Sequence, residues 1–243
     1  MTDYIIEGSV SVKAVLNGGR RTVSEILFDK DRKDRDLAFI LKKARELGVK
    51  YTPCKRPDID ALASGKTHGG ILAYVGERKY ETEADIFDVD NPFILLLEGI
   101  EDPYNFGDSL RSAYAAGVTG VIVPTRNWLT AASVVIKASA GASEYLPTLV
   151  SDDLGKTVVE ARNRGLKVYC AERKDAESLY DKDLSEPVVL AIGGEMRGLS
   201  RAVLDNADGN VFIPYGSNFR CALSASAASA VIGFEVMRQR MKK

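Results

Sequence analysis

Apolar positions along this chain follow two alternating rhythms. Continuous apolar runs such as 93-FILLLE-98 and 188-VVLAI-192 have the length and texture of strands buried on both faces. Between such runs the apolar residues recur three and four apart, the spacing of helices with one buried face. At the N-terminal end, residues 3–19 read as a short strand and then a helix with Val10, Ala14 and Val15 on one face, stopped by Gly18-Gly19. Ser24–Phe28 reads as a strand. Leu37–Leu47 reads as a helix with a stripe of Leu37, Ile40, Leu41, Ala44 and Leu47, and Val49–Thr52 as the next strand. Ile59–Ala63 is a short helix and Gly70–Val75 a closing strand. This βαβαβ alternation predicts a compact α/β unit over residues 1–79.

The stretch 76–92, GERKYETEADIFDVDNP, is polar and acidic, and residues 80–92 are expected to link two domains. From 93 to 243 the pattern predicts strand 93–98, helix 108–116, strand 118–123, helix 130–140 and strand 146–150. Helix 153–164, strands 166–171 and 188–192, helix 199–206, strand 210–213 and helix 223–241 follow. Regular β/α alternation of this kind predicts a parallel sheet covered on both faces.

Charge adds a division that the net value of −1 conceals. Residues 1–79 carry a net +5 and residues 80–243 a net −6, and 80–110 holds nine acids and no base. A basic module that meets a polyanion, joined to a less basic module, fits this asymmetry. Cys54, Cys170 and Cys221 are odd in number and far apart, and His68 is the single histidine, which argues against a disulfide framework, a zinc site or any other resident metal. No apolar run is long enough to span a bilayer and the N-terminus lacks the pattern of a signal peptide, so the expected compartment is the cytoplasm.

Two loops follow apolar strands and enter helical segments. In the first, Asp102-Pro103 starts a turn, Asn105 and Gly107 suit unusual backbone angles, Asp108 or Ser109 is placed to cap a helix, and Arg111 lies one turn into it. In the second, Gly193-Gly194-Glu195 offer open backbone amides and Gly198 allows a close approach. Neither is a P-loop or a dinucleotide fingerprint. A third segment, 213-IPYGSNFRCALSASAASA-230, runs from Ile213-Pro214 into a helix of very small residues, which permits close packing by a neighbouring helix or a dimer mate.

Together these residues resemble a known family. Asn105-x-Gly107-x-x-x-Arg111, Gly193-x-Glu195-x-x-Gly198-Leu199-Ser200, and Ile213-Pro214 before the small-residue helix are similar to the three motifs of the SpoU/TrmH RNA 2′-O-ribose methyltransferases of the SPOUT superfamily. The segments 5-IIEGSVSVKAVL-16 and 67-THGGILAYV-75 resemble the ends of that family's ribosomal-protein-like substrate-binding domain. The resemblance implies an α/β methyltransferase domain over 93–243 with a deep trefoil knot around 188–230. It implies S-adenosylmethionine held near Ala191, Gly193, Gly194, Gly198, Ile213, Pro214 and Leu223, and a homodimer with the active site at the subunit interface. Arg111 would act at the ribose 2′-hydroxyl with Asn105 and Glu195. Because a guanidinium with a pKa above about 12 is a poor base, the role of Arg111 stays open between proton acceptor and orienting group.

The chain departs from the family at one point. The usual third motif reads S-L-N-V-S, and the best match, 222-ALSAS-226, places Ser224 at its asparagine and Ala222 at its first serine. An ungapped alignment from Ile213 places Leu223 and Cys221 there instead, and either way the asparagine is absent. Ser224 is therefore a candidate catalytic residue with a shorter reach. Arg20, Arg21 and His68 are candidate RNA contacts, with a turn-stabilising role equally open for His68. The resemblance implies rRNA rather than tRNA as substrate. Three alternatives remain: a tRNA-directed 2′-O-methyltransferase, a catalytically weak RNA-binding dimer, and a small-molecule enzyme with a nucleotide cofactor.

Overall fold

The computed structural model describes residues 4–125 and 131–241. In chain order its elements are β1 (Tyr4–Glu7), α1 (Ser9–Gly18), β2 (Val23–Asp29), α2 (Arg35–Glu46), β3 (Lys50–Cys54), α3 (Arg56–Leu62), β4 (Ile71–Val75), α4 (Glu83–Phe87), β5 (Phe93–Glu98), α5 (Pro103–Ala115) and β6 (Gly120–Pro124). There follow α6 (Ala132–Ala138), α7 (Ala142–Tyr145), β7 (Thr148–Ser151), α8 (Leu154–Asn163), β8 (Lys167–Ala171), β9 (Ala176–Ser178), β10 (Val188–Gly193), α9 (Arg201–Leu204), β11 (Gly209–Phe212) and α10 (Ala225–Arg240). Among the described residues no helix is long and apolar enough to cross a membrane.

The backbone gathers into two compact units. The first holds residues up to Lys79 together with 131–145, and the second holds Tyr80 onward with 146–241. Helices α6 and α7 thus join the first unit, although the sequence pattern runs them into one domain starting at residue 93.

In the first unit β4 lies between β1 and β2 and runs antiparallel to both, while β3 pairs parallel with β2. Helices α1 and α2 bury Val12, Val15, Leu16, Leu37, Ile40 and Ala44 on the sheet residues Ile6, Ile26 and Ala73, and Ile136 of α6 completes this core. Asp34 fixes the start of α2, its carboxylate accepting a hydrogen bond from the Leu37 amide. Two residues of the expected apolar stripes, Val10 and Leu47, are about half exposed; Leu47 lies beyond the last turn of α2.

The second unit is built on a seven-stranded, wholly parallel sheet in the order β7-β6-β5-β10-β8-β11-β9. Ile86 and Phe87 of α4, Leu154 and Val158 of α8, and Val203 of α9 cover one face, over Ile94, Leu96, Val168 and Val189. Helices α5 and α10 pack together, and α10 also lies against β10. The small-residue helix is needed there: a Cβ on Gly233 would stand 2.9 Å from that of Ala116 at the end of α5.

Five local features differ from the sequence expectation. The acidic stretch contains α4, whose start is set by reciprocal hydrogen bonds between Thr82 and Asp85 and which buries two apolar residues. Helix α5 begins at Pro103, because the Asp102 carboxylate accepts from the amides of Tyr104 and Asn105 and proline fits the first helical turn. Asn105 and Gly107 are therefore helical, not loop residues, and neither Asp108 nor Ser109 is the cap. The expected helix 130–140, whose first residue lies outside the described residues, gives way to α6 and α7, separated by the positive φ angles of Ala140 and Gly141. Strand β9 is additional, and α9 is shorter than 199–206.

Candidate active site

The carboxyl ends of β8, β10 and β11 open into a cleft of about 240 Å3. Its walls are Ala171–Arg173 after β8, Ile192–Glu195 with Gly198 and Leu199 after β10, and Phe212, Ile213 and Tyr215 after β11. Ala222, Leu223, Ala225 and Ala228 at the head of α10 close it. Open parallel sheets bind ligands in this position because loops and unpaired strand ends converge there.

Strand β10 shows why the cleft can present backbone to a ligand. Its ladder with β5 continues to Gly193↔Glu98, whereas its ladder with β8 stops at Ala191↔Cys170. The last two residues of β10 are left open on the side of the cleft. The turn that follows is tightly wound: the Gly194 amide donates to the Glu98 carbonyl at 2.7 Å, and the Gly198 amide donates to the Gly194 carbonyl at 2.8 Å. The Gly194 amide, expected to be open, is thus engaged. A Cβ on Gly194 would overlap the Gly99 carbonyl, and one on Gly193 would lie 2.6 Å from the Leu199 nitrogen. Gly198 has open space around it and is needed for its φ of +63°. The close approach assigned from sequence to Gly198 therefore belongs to Gly193 and Gly194.

The side chain that ties the turn down is Glu98, at the end of β5, which accepts from the Ser200 amide at 2.8 Å. The segment after β11 is held as firmly. Arg173 lies over the Tyr215 ring at 4.5 Å and donates to the carbonyls of Arg220 and Cys221, both at 3.3 Å. The Tyr215 hydroxyl accepts from the Leu223 amide at 3.1 Å. Glu98, Arg173 and Tyr215 were not recognised from sequence. The available signal was their place at or just after apolar strands whose neighbours carry the motifs.

Of the expected cofactor residues, Gly193, Gly194, Gly198, Ile213 and Leu223 line the cleft, as does Glu195. Ala191 is fully buried in the core and Pro214 is not part of the wall. Ser224 caps α10, its Oγ accepting from the Ala227 amide at 3.2 Å, and shares a 3.1 Å hydrogen bond with Ser226. Asn105 and Arg111 lie on α5 outside the cleft. The Arg111 side chain is exposed and makes no hydrogen bond or ion pair with the described residues.

The three expected RNA contacts of the first unit have internal partners. Arg21, 6% exposed, pairs with Glu144, 1% exposed, at 3.0 Å and also donates to the Gly76 carbonyl. Arg20 reaches the carbonyls of Gly18 and Glu144. His68 is buried, with its Nδ1 accepting from the Gly70 amide at 3.2 Å and its Nε2 3.1 Å from Asp60. Each of these side chains joins segments of its own unit. The thiol of Cys170, under the cleft, is pushed up to about 12 by burial. Among the described residues no three His, Cys, Asp or Glu side chains gather as metal ligands.

The chain matches known families along most of its length. The profile of the SpoU rRNA methylase family matches residues 92–234, and that of the RNA 2′-O ribose methyltransferase substrate-binding domain matches residues 5–81. The chain belongs to the SpoU rRNA methylase family. Among SpoU relatives it is similar to the 23S rRNA (guanosine-2′-O-)-methyltransferase of Shewanella oneidensis, 34% identical over 241 residues and 97% of each chain. The corresponding methyltransferase of Pseudomonas putida is 32% identical over 243 residues, covering 98% of this chain and 97% of its own. The SpoU fold is also that of the methyltransferase AviRb from Streptomyces viridochromogenes, solved in complex with AdoMet. That likeness has a TM-score of 0.80 at 23% identity, over 98% of this chain and 91% of the other.

Proposed function

We propose that this SpoU-family enzyme transfers a methyl group from S-adenosylmethionine to a ribose 2′-hydroxyl of rRNA, with a guanosine of 23S rRNA as the target. The observation that carries the reading is the cleft itself, whose walls are the second and third family motifs brought together at the ends of β10 and β11. The donor fits this cleft on the chemistry of its walls. Glycine backbone and open strand ends suit the edge of an adenine, and Ile213 and Leu223 suit its faces.

When bound, the donor supplies an electrophilic methyl on a sulfonium. The chain's own residues hold the reactants in line, and no resident metal is required of them. Positioning of this kind is worth up to roughly 7–11 kcal/mol of barrier. In this reading Arg111 and Asn105 orient the ribose or an adjacent phosphate, Glu195 faces the same space from the cleft wall, and Ser224 stands at the position of the family's asparagine. The first turn of α10 already uses the Ser224 Oγ as its cap, so any contact to ribose is made from a fixed hydroxyl.

A homodimer belongs to the reading because Asn105 and Arg111 lie off the cleft of their own chain. Tyr104 of α5 and Phe234 of α10 are exposed aromatic residues on the paired helices, available to a second copy. A trefoil knot over 188–230 is the proposed path by which the 193–200 turn and the 213–224 segment come to share one cleft. The substrate-binding domain over 1–79 would deliver the RNA, and an rRNA substrate makes the cytoplasm the place of work.

The test is transfer of labelled methyl from S-adenosylmethionine to unmethylated 23S rRNA, followed by digestion to nucleosides. Label in 2′-O-methylguanosine is the expected result. Label in tRNA alone would replace the substrate, and no binding of S-adenosylmethionine by calorimetry would remove the enzymatic reading.

A further inference from the structure

The segment between β11 and α10 carries a second feature that is not part of the cleft wall. Phe219 is 54% exposed on this segment, between Tyr215 and Ala222, both of which line the cleft. A single exposed phenylalanine is by itself ordinary surface. This one is held in place. Its ring is 6.1 Å from that of Tyr215, Tyr215 lies under the Arg173 guanidinium, and Arg173 grips the two carbonyls that follow Phe219. Guanidinium and two rings therefore form a supported group whose outer member, Phe219, is open to solvent.

Cations stand nearby in sequence on both edges of the cleft. Arg220 follows Phe219, and Arg197 lies at the tip of the turn after β10, beside the exposed Met196. Both arginines are exposed, and neither guanidinium makes a hydrogen bond or ion pair with the described residues. An unstacked RNA base binds to aromatic faces, with guanidinium groups meeting its phosphates. Paired RNA displays its 2′-hydroxyls in the shallow minor groove, whereas sequence-specific recognition targets unpaired nucleotides, and a nucleotide gripped through its base presents its ribose in one orientation.

We infer that Phe219, backed by Tyr215 and Arg173, is a base-stacking subsite for an unpaired nucleotide at or next to the methylated ribose, with Arg197 and Arg220 on its phosphates. The inference rests on the RNA 2′-O-methyltransferase reading and adds to it a subsite outside the donor cleft. It commits to single-stranded RNA as the occupant. A second copy of the chain covering Phe219 is the competing outcome.

The experiment measures steady-state methyl transfer to unmethylated 23S rRNA by the full-length protein, with donor affinity from calorimetry and mass from sedimentation. Phe219→Ala is expected to raise KM for RNA by about five- to a hundredfold, the usual effect of losing one stacked base. Donor Kd and oligomeric mass should stay unchanged. Phe219→Tyr and Phe219→Trp should restore KM and Phe219→Leu should not, because a packing role needs only apolar volume whereas stacking needs a ring. Arg197→Ala/Arg220→Ala should flatten the salt dependence of KM. The inference is overturned by an unchanged KM in Phe219→Ala, by rescue with leucine, by parallel loss of donor affinity, or by a change of mass. If the native protein transfers no methyl to RNA, the functional reading itself fails, an outcome distinct from each of these.

Discussion

Gly194→Ala adds one methyl group at the point where β5 and β10 end side by side. The strands are paired through Gly193↔Glu98, and the Gly194 amide already donates to the Glu98 carbonyl. The new Cβ would overlap the Gly99 carbonyl carbon and oxygen and lie 3.1 Å from the Ile100 nitrogen. All of these are backbone atoms, so no side chain can rotate away. Resting carbon contacts need roughly 3.5 Å, so relief requires the two strand ends to part by about 1 Å or more. Overpacking against backbone belongs at the upper end of the usual range, about 3 kcal/mol. In a chain of this size that lowers the melting temperature by roughly 6–12 °C. The displaced backbone also forms the cleft wall, and a shift of about 1 Å there costs up to roughly a hundredfold in function. Differential scanning calorimetry and titration with S-adenosylmethionine read the two effects on one sample. Two controls separate sterics from backbone freedom. Gly198→Ala meets no atom but forces alanine to a φ of +63°, a strain of about 1–2 kcal/mol, while Gly216→Ala meets nothing at an ordinary φ. If Gly194→Ala melted and bound the donor like Gly216→Ala, the reasoning about this turn would be refuted.

Other predictions follow from single contacts. Arg21→Ala leaves Glu144 charged and enclosed, and should destabilise the first unit by about 3–5 kcal/mol in urea titrations, with much of the loss recovered in Arg21→Met/Glu144→Gln. RNA affinity at a temperature where both variants are folded should match the native protein. Asp34 has its carboxyl held down at about 2, first by the Arg32 guanidinium and then by the Leu37 amide. Its stabilisation is complete above the ordinary carboxyl range near 4 and is lost as pH falls through about 2. Asp34→Asn, which keeps the cap, should therefore remove part of the acid limb of a urea-midpoint profile between those values. Ser224→Ala should cost about 1 kcal/mol through loss of the α10 cap, whereas Ser224→Asn should keep stability and raise the rate of methyl transfer.

The catalytic sheet was legible because its central strands are continuous apolar runs and its turns carry glycine and proline. What escaped was decided partly by local caps and partly by contacts distant in sequence. Helix α4 hides two buried residues, Ile86 and Phe87, within an acidic stretch, and its capping pair is local but was masked by charge. The start of α5 turned on Asp102, whose carboxylate takes two amides and draws Asn105 and Gly107 into the helix. Arg20 and Arg21 look like a cationic loop in one dimension, and only the fold brings Glu144 against them. The site was partly readable for the same reason. Glycines with fixed spacing announce themselves, but Glu98 and Arg173 act through backbone partners that no local pattern records.

The central claim is tested most directly by single-turnover methyl transfer to unmethylated 23S rRNA, comparing the native protein with Arg111→Ala. Arg111 is exposed on α5 and its side chain has no partner among the described residues, so its removal should leave stability and donor affinity intact. The account predicts label in ribose 2′-O-methyl nucleosides with the native protein and a loss of at least about a hundredfold in rate with the variant. Transfer at the native rate by Arg111→Ala, or label on the bases instead of the ribose, would contradict it.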